Sequence, residues 1–490
     1  MHRPDERPTT QPPADPPPPA DPPPPADSPP PSKGARRGGV RASERALAPD
    51  VARGFMLLLI VLSNTGFYLW AAEHGASGWH PVDGSALDRV VQFLMITMLD
   101  LRAYPLFAFL FGYGIMRLYL RQTTAGTSER AACVLLSRRG LLLIAFGFVH
   151  AALLMAGDIV GSYGLASLIL VWLFLRRRSG TLLVWAAIAA ALVAIPGVEA
   201  VWAIANGDLA QLGTAATKPS TVYYASGEAD PVTAIGTRLS TWAFVTLGGG
   251  LLAFGSHAVM LLGFWAARRN ILEEPHRHLR LLGWTAGVGL AVGWLGGLPA
   301  ALAHVGVLDV PPEAVSEEGV LAAVQSTTGI AGGLGYVAVF ALLAHWISTR
   351  AQRTRAAAPT GAKGANAPTG AAGAVGATGA VGATTAVDAA GARGAAGAAA
   401  GVGATMVAAV AATGKRSLSC YLGHSLIFSP VLAAWGLGLG AYFGSASMAA
   451  FAVAVWLATV VGAYALERAG RQGPAEALLR RLTYGARRQD

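Results

Sequence analysis

A histidine and an aspartate that lie close together in the chain are the side chains best suited to acid–base chemistry. His150 lies near the end of an apolar run, and Asp158 follows it in a short turn before the next run. Histidine changes its charge near neutral pH, so it can accept a proton from a hydroxyl group. We predict that His150 is a general base and that Asp158 supports it. The alternatives are a histidine that packs against a neighbouring helix and an aspartate that caps the following helix.

Three arginines in or beside apolar runs are candidates for binding an anionic substrate. Arg139 lies eleven residues before the candidate base, so the two side chains share one helix face roughly 16 Å apart. Arg53 lies at the start of the first apolar run, and Arg102 lies within the second run beside Asp100. Guanidinium groups bind phosphates and carboxylates through two hydrogen bonds. The alternative for Arg102 is a helix kink near Pro105, in which it binds the freed carbonyl groups.

Polar residues near the end of the chain and in the first run complete the candidate site. Tyr421, His424 and Ser425 fall on one face of a helix, because residues three or four apart are neighbours. We assign Tyr421, His424 and Asn64 as substrate-binding candidates; the alternative is polar contacts between helices. His424 cannot readily activate Ser425, because adjacent helical side chains point about 100° apart. His80, in the first loop between runs, is expected to be exposed.

Long apolar runs predict an integral membrane protein of the all-α class. Hydrophobic residues make up 53% of the chain, charged residues make up 13%, and the mean hydropathy is +0.47. An apolar helix of about 20 residues crosses the hydrocarbon layer and satisfies its own backbone groups. The sequence predicts a polytopic bundle of about ten spans, at roughly 52–72, 88–119, 139–157, 159–176, 181–205, 238–267, 280–303, 319–348, 416–437 and 446–466. Asp100, Arg102 and Pro105 favour a kink or a break in the second span.

The distribution of basic residues predicts the orientation of these spans. Most of the 37 Lys and Arg residues lie on alternate connections, whereas the intervening loops carry acids such as Glu73, Glu228 and Glu317. Basic loops stay on the cytoplasmic side. We therefore predict that both termini are cytoplasmic and that the protein lies in the bacterial cell membrane. The net charge of +10 marks membrane orientation, and we expect no nucleic-acid partner.

Composition divides the chain into four segments. They are a Pro-rich, disordered cytoplasmic tail (1–46), helices one to eight (47–349), a flexible Ala/Gly-rich cytoplasmic linker (350–412), and helices nine and ten with a basic tail (413–485). The two cysteines, Cys133 and Cys420, form neither a disulfide framework nor a metal cluster. The sequence contains no phosphate loop, zinc spacing or dinucleotide fingerprint, so we expect no bound metal or cofactor.

Four groups of motifs follow one another along the chain. They are 47–54 leading to Asn64; 102–107 with Leu-Phe-Gly-Tyr-Gly at 110–114; Arg-Arg-Gly at 138–140 with Gly147, His150, Gly-Asp-Ile at 157–159 and Tyr163; and 414–425 with Gly436, Gly-Pro-Ala-Glu at 473–476 and Arg480. In these segments the chain resembles the YeiB family of bacterial membrane proteins (domain of unknown function 418). The family's C-terminal domain would cover roughly 245–485. Cys420 and His424 stand where the family usually has Asn and Gln.

The resemblance implies acyl transfer, because the family is similar to a larger group of multi-span membrane acyltransferases. That group moves an acyl group from cytoplasmic acyl-CoA to a sugar or glycan acceptor at the opposite face. Arg53, Arg102 and Arg139 would then hold acyl-CoA, and His150 would be the base. Asn64 stands where many members of the group have a histidine.

The sequence leaves open whether the chain is catalytic. The alternative to an acyltransferase with a glycan or lipid-linked acceptor is a transporter of a small or lipidic solute, which would use the same buried polar groups. A third hypothesis is a scaffold that presents its Pro-rich tail to other proteins.

Overall fold

Helices form the regular secondary structure of the residues that the structure describes. The computed structural model describes residues 47–210, 213, 218–357 and 403–485. The helices are α1 (Leu47–Ser63), α2 (Ala86–Met98), α3 (Ala103–Thr124), α4 (Glu129–Leu153), α5 (Ile159–Phe174), α6 (Ser179–Ala205), α7 (Ser220–Tyr223), α8 (Pro231–Leu247), α9 (Phe254–Arg268), α10 (Leu279–His304), α11 (Pro312–Val315), α12 (Val320–Ala357), α13 (403–415), α14 (Ser417–Leu432), α15 (Ser445–Arg468) and α16 (Pro474–Tyr484). In these ranges strand pairing is limited to an isolated bridge between His74 and Pro81.

The described helices form an α-helical membrane bundle with fewer full-length spans than predicted. Seven stretches are long and apolar enough to cross a membrane; they lie in α1, α3, α4, α6, α10, α12 and α15. The pair α8 and α9 adds an eighth if it is one span bent by 56°. Helices α5 and α14 have 16 residues each, about 24 Å, which is shorter than the hydrocarbon layer. The predicted number of about ten spans is therefore not supported, and the orientation of the termini stays a prediction.

The predicted second span is broken. Helix α2 ends at Met98, α3 begins at Ala103, and Leu101 between them has a φ of 61°. Non-glycine residues rarely adopt such a backbone conformation inside a helix. Helix α3 alone has 22 residues, about 33 Å, and is long enough to cross a membrane by itself. Arg102 therefore immediately precedes a helix that is long enough to cross a membrane.

Small residues let α4 and α5 pack closely as a hairpin. A Cβ atom at Gly147 of α4 would overlap the Asp158 carboxylate and the backbone of Gly161. Further along the pair, a Cβ atom at Gly140 would lie 3.0 Å from the Gly164 carbonyl oxygen. The two helices therefore meet backbone to backbone, which brings the end of α4 against the start of α5.

The predicted linker is helical at both ends. Helix α12 continues to Ala357, and α13 covers 403–415. Helix α13 lies against α1, because a Cβ atom at Gly54 would overlap Val410 and one at Gly414 would overlap Asp50. Alanine is the strongest helix former, so an Ala-rich sequence folds as a helix where it can pack. The remaining residues of the linker, 358–402, and the Pro-rich segment 1–46 lie outside the described residues.

Candidate functional site

The two side chains chosen for acid–base chemistry form a buried pair. His150 Nδ1 lies 2.9 Å from Asp158 Oδ1. His150 is 3% exposed and Asp158 is 0% exposed. His150 belongs to the last turn of α4, and Asp158 immediately precedes α5. The short connection of the hairpin therefore brings together two residues that are eight positions apart.

Asp158 both caps a helix and orients the histidine. Its Oδ2 atom accepts a hydrogen bond of 2.7 Å from the Gly161 backbone N–H in the first turn of α5. Its Oδ1 atom accepts from His150 Nδ1, which leaves Nε2 as the nitrogen that can accept a proton. The Nε2 atom of His150 is buried and has no hydrogen-bond partner within the described residues. The capping and supporting roles proposed for Asp158 are therefore compatible.

Helix α14 contributes Tyr421 to the same pair. The Tyr421 hydroxyl donates to Asp158 Oδ1 at 3.4 Å, and its ring centroid lies 5.1 Å from that of His150. Ser425, one turn later, lies 3.9 Å from the Met155 sulfur. The predicted site residues on α4 and α14 are therefore brought together.

Helix α1 reaches the same place through Asn64. The Asn64 Nδ2 atom lies 3.7 Å from the sulfur of Met155, whose backbone N–H donates to the His150 carbonyl. Asn64 is thus connected to the backbone of His150 through Met155. Its predicted position in the site is compatible with this geometry.

His424 is not part of this group. Its Nε2 atom lies 3.0 Å from the Thr459 hydroxyl on α15, and its Nδ1 atom is buried without a partner. Its ring therefore contacts α15, although helical spacing places it near the face of Tyr421. His424 makes no contact with His150 in this arrangement, and its role in substrate binding stays a prediction.

Arg238 is a residue of the site that sequence reasoning missed. Its guanidinium donates to the carbonyls of Ala151 at 3.2 Å and Ala152 at 2.9 Å, and it lies 5.7 Å from the Trp435 ring. The last carbonyl groups of a helix have no partner within the helix and carry partial negative charge. Arg238 therefore fixes the end of α4 next to His150. The position of this arginine at the edge of an apolar run is the sequence feature that could have indicated its role.

Arg102 holds the break between α2 and α3. It is completely buried, and its terminal nitrogens donate to the backbone carbonyls of Ile96 at 3.2 Å, Asp100 and Gly293. This is the structural alternative considered for Arg102, with carbonyl groups from α2, the break and α10. These bonds favour stabilisation of the break, and donor binding by Arg102 stays a prediction.

A second buried histidine–aspartate pair lies at this break. His80 Nε2 lies 2.6 Å from Asp100 Oδ2, and Asp100 Oδ1 accepts from the Ser63 hydroxyl at 3.4 Å. The His304 ring lies 5.8 Å from that of His80. His80 is buried, so the expectation that it is exposed was wrong. The polar loop sequence gave no sign that this side chain turns into the bundle.

Arg53 and Arg139 lie near each other, and Arg139 is close to the middle of α4, eleven residues before His150. Arg53 forms an ion pair of 3.2 Å with Asp50 and donates to the Leu110 carbonyl at 3.5 Å. Arg139 lies within electrostatic range of Arg53, Glu476 and Tyr484. It has no hydrogen bond or ion pair with the residues that the structure describes. The sequence placed both arginines at one end of the bundle, and the structure brings them near each other.

A loop between α9 and α10 adds an acidic residue to these arginines. Glu273 Oε1 lies 2.9 Å from Arg117 Nε, and Arg117 also donates to the Asn270 side chain at 2.8 Å. Burial raises the pKa of Glu273 to about 7, although the positive charge of Arg53 opposes the shift. The Oε2 atom of Glu273 is buried and has no partner among the described side chains. Sequence reasoning missed Glu273, because its loop resembles other polar connections.

Metal ligands are not gathered anywhere in the described ranges. No group of three or more His, Cys, Asp or Glu residues there could hold a metal ion. Cys133 and Cys420 are free and buried.

One family model and several relatives match parts of the chain. The family described as protein of unknown function (DUF418) matches residues 266–362 and 388–486. These residues include α14, whereas His150 and Asp158 precede them. No solved structure matches the chain.

Three relatives share part of the sequence. The uncharacterized protein YxaH of Bacillus subtilis is 28% identical over 51% of this chain and 65% of its own length. The uncharacterized 39.9 kDa protein in the amylase 3′ region of Bacillus acidopullulyticus is 35% identical over 23% of this chain and 29% of its own length. YeiB of Escherichia coli is 37% identical over 16% of this chain and 20% of its own length. The chain thus matches less than two thirds of the length of each relative.

Proposed function

We propose that this chain is a member of the DUF418 (YeiB) family and that it transfers an acyl group from cytoplasmic acyl-CoA to a hydroxyl group of a glycan or lipid-linked acceptor on the other side of the membrane. The observation that carries the proposal is the buried His150–Asp158 pair. A histidine held at Nδ1 by a carboxylate and unpartnered at Nε2 is the arrangement that general-base catalysis requires.

The proposed reaction is an attack of the acceptor hydroxyl on the thioester. His150 Nε2 takes the hydroxyl proton while the oxygen forms a bond to the acyl carbon. The carbon–sulfur bond then breaks, and the proton passes from Nε2 to the departing sulfur, so the histidine returns to its neutral form. Asp158 and the carboxyl end of α4 both stabilise the positive charge that forms on the ring. Tyr421 and Gly161 hold the carboxylate in place.

The orientation of the bundle determines which side supplies the acceptor. We propose about ten crossings with both termini in the cytoplasm, in which α5 and α14 cross despite their length. His150 and Asp158 then lie near the outer face, and Arg139 lies about 16 Å further towards the inner face, beside Arg53. This arrangement puts the base on the acceptor side and guanidinium groups on the acyl-CoA side.

The experiment uses full-length protein in liposomes of phosphatidylethanolamine and phosphatidylglycerol that enclose a short glucose oligosaccharide. Acetyl-CoA labelled in the acetyl group is added, and label in the oligosaccharide and lipid fractions is measured. We expect transfer by the wild type and a loss of at least about 100-fold in His150→Gln. The matched control is His345→Gln, a half-buried histidine on α12, which should retain activity. Equal activity of His150→Gln and wild type would refute the role of His150.

Transport of a small or lipidic solute is the second candidate function. Two interruptions in the helices favour it: the break between α2 and α3, and the 56° bend between α8 and α9. Interrupted helices expose backbone groups that can bind a solute within a membrane. In the same liposomes, a transporter would move labelled solute across the bilayer without transferring label to any acceptor.

A further inference from the structure

Helix α4 carries two functional groups at a fixed separation. Arg139 and His150 are eleven residues apart, which corresponds to about 16 Å along the axis and a rotation of roughly 20°. Leu143 and Phe146 lie between them on the same face, at intervals of three or four residues. Arg139, two apolar side chains and His150 therefore lie in one line on α4, with Leu143 and His150 buried in the bundle.

Near Arg139, two charged side chains have hydrogen-bonding atoms without a partner among the described residues. Arg139 has no hydrogen bond with the described residues, and Glu273 Oε2 is buried without a partner. Arg53 lies within electrostatic range of both, and Arg117 forms an ion pair with Glu273. Buried polar atoms nearly always have a partner, so the unpartnered Glu273 oxygen, in the same place as the half-buried Arg139 guanidinium, indicates a ligand. We call Arg53, Arg117, Arg139 and Glu273 the inner cluster.

We propose that the inner cluster binds the phosphoadenosine end of a CoA thioester and that the pantetheine arm runs along α4 to place the thioester beside His150. This inference rests on the proposed function and adds the position of the donor. Guanidinium groups suit the phosphates, and the free Glu273 oxygen can accept a hydrogen bond from an amino or hydroxyl group of the nucleotide. An extended pantetheine arm is as long as roughly four residues of extended backbone, about 14 Å, which is close to the separation on α4.

The placement has a chemical consequence. If one donor molecule spans from Arg139 to His150, the acyl carbon reaches the acceptor without first becoming attached to the protein. A single step then forms the oxygen–carbon bond and breaks the carbon–sulfur bond, with His150 Nε2 carrying the proton from the hydroxyl to the sulfur. Donor and acceptor must be bound at the same time. Initial rates at varied donor and acceptor concentrations should therefore give intersecting double-reciprocal lines, whereas an acyl-protein intermediate would give parallel lines.

The first test measures nucleotide binding without any transfer. Adenosine 3′,5′-bisphosphate is titrated calorimetrically into full-length protein in detergent. We expect saturable binding that weakens about 10- to 150-fold in Arg139→Gln, which corresponds to the loss of a hydrogen bond to a charged group. The matched control is Arg138→Gln, because Arg138 is exposed and points away from the Arg139 face. Failure of the wild type to bind the nucleotide, or equal weakening in both variants, would overturn the inference.

The second test compares two donors of different length. Acetyl-CoA carries the nucleotide, and acetyl-pantetheine lacks it. We expect Arg139→Gln and Arg117→Gln to lower kcat/KM for acetyl-CoA by about 10-fold or more and to leave kcat/KM for acetyl-pantetheine unchanged. A variant that is merely misfolded would lose activity with both donors. If the variants are misfolded, the wild-type protein still tests the inference. Adenosine 3′,5′-bisphosphate should then compete with acetyl-CoA and inhibit transfer by the wild type.

The two tests separate this inference from the proposed function. Nucleotide binding that depends on Arg139, without any acyl transfer, would retain the inner cluster as a nucleotide site and reject the acyltransferase. Transfer that depends on His150 but proceeds equally well from both donors would retain the acyltransferase and reject the inner cluster as a nucleotide site.

Discussion

Gly147 and Asp158 approach so closely that a methyl group on the glycine would occupy the position of the carboxylate. The same carboxylate accepts a hydrogen bond from His150. The spacing between α4 and α5 therefore determines the geometry of the His150–Asp158 pair. We expect Gly147→Ala to lower the free energy of unfolding by about 1–3 kcal/mol through overpacking and to reduce acyl transfer. Thermal unfolding in detergent and the liposome assay measure the two effects. The control is Gly287→Ala on α10, where no atom lies within 4 Å of the added Cβ, and this variant should be stable.

The two roles of Asp158 can be separated by two substitutions. Asparagine caps helices as well as aspartate does, so Asp158→Asn should keep α5 stable while it removes the charge that orients His150. Asp158→Ala removes both the helix cap and the charge. We expect it to lower the free energy of unfolding by about 1 kcal/mol more than Asp158→Asn does. Both variants should lose at least about 100-fold in transfer rate. Full activity of Asp158→Asn would show that the carboxylate serves only as a cap.

Glu273 should make the stability of the protein depend on pH. Its pKa is about 7 in the folded protein and near 4.5 when unfolded, so the folded state binds more protons between these values. The free energy of unfolding should therefore fall as the pH rises from about 4.5 to about 7, by on the order of 1–3 kcal/mol. Glu273→Gln should remove this part of the dependence, whereas the neighbouring Glu274→Gln should keep it. Thermal unfolding across this pH range provides the measurement, and identical profiles for wild type and Glu273→Gln would contradict the expectation.

The pair formed by His80 and Asp100 should contribute to stability as a unit. We expect His80→Gln and Asp100→Asn each to lower the free energy of unfolding by on the order of 3 kcal/mol, because each leaves a buried polar group without its partner. The double variant should lose about 1–3 kcal/mol less than the sum of the two. His74→Gln in the same loop serves as the control. Strict additivity of the two substitutions would mean that the contact carries no coupling.

Cysteine labelling tests the orientation of the bundle. In a variant with Cys133 and Cys420 replaced by alanine, a cysteine at Ala229 before α8 or at Gly180 in α6 lies in an exposed position. If both termini are cytoplasmic, a membrane-impermeant maleimide should label Ala229→Cys on intact cells and should label Gly180→Cys only after lysis. The reverse pattern would invert the map and exchange the donor and acceptor faces.

The sequence predicted the acid–base pair because both residues lie in one hairpin. Helical periodicity and a short turn between two apolar runs determine that His150 and Asp158 end near each other. The same reasoning predicted the break near Asp100 and Pro105, because polar residues and proline interrupt a long apolar run. Helical periodicity and short turns determine the relative positions of residues that are close in the chain, so these features can be predicted without knowledge of tertiary contacts.

Contacts between distant parts of the chain could not be predicted in this way. Tyr421 reaches Asp158 across 263 positions, and no spacing rule connects them. Arg102 could bind either a ligand or backbone carbonyls, and only the approach of Gly293 on α10 favours the second role. The burial of His80 depends likewise on the loop folding onto the end of α1.

Consecutive residues at the end of α1 lie next to the two histidine–aspartate pairs: Ser63 bonds to Asp100, and Asn64 contacts Met155, whose backbone N–H donates to the His150 carbonyl. Each residue added to a helix turns everything beyond it by about 100°. A single insertion or deletion within α1 would therefore uncouple both pairs at once, whereas exchanging either side chain would disturb only one. The length of α1 is therefore more important for the two histidine–aspartate pairs than the identity of either side chain.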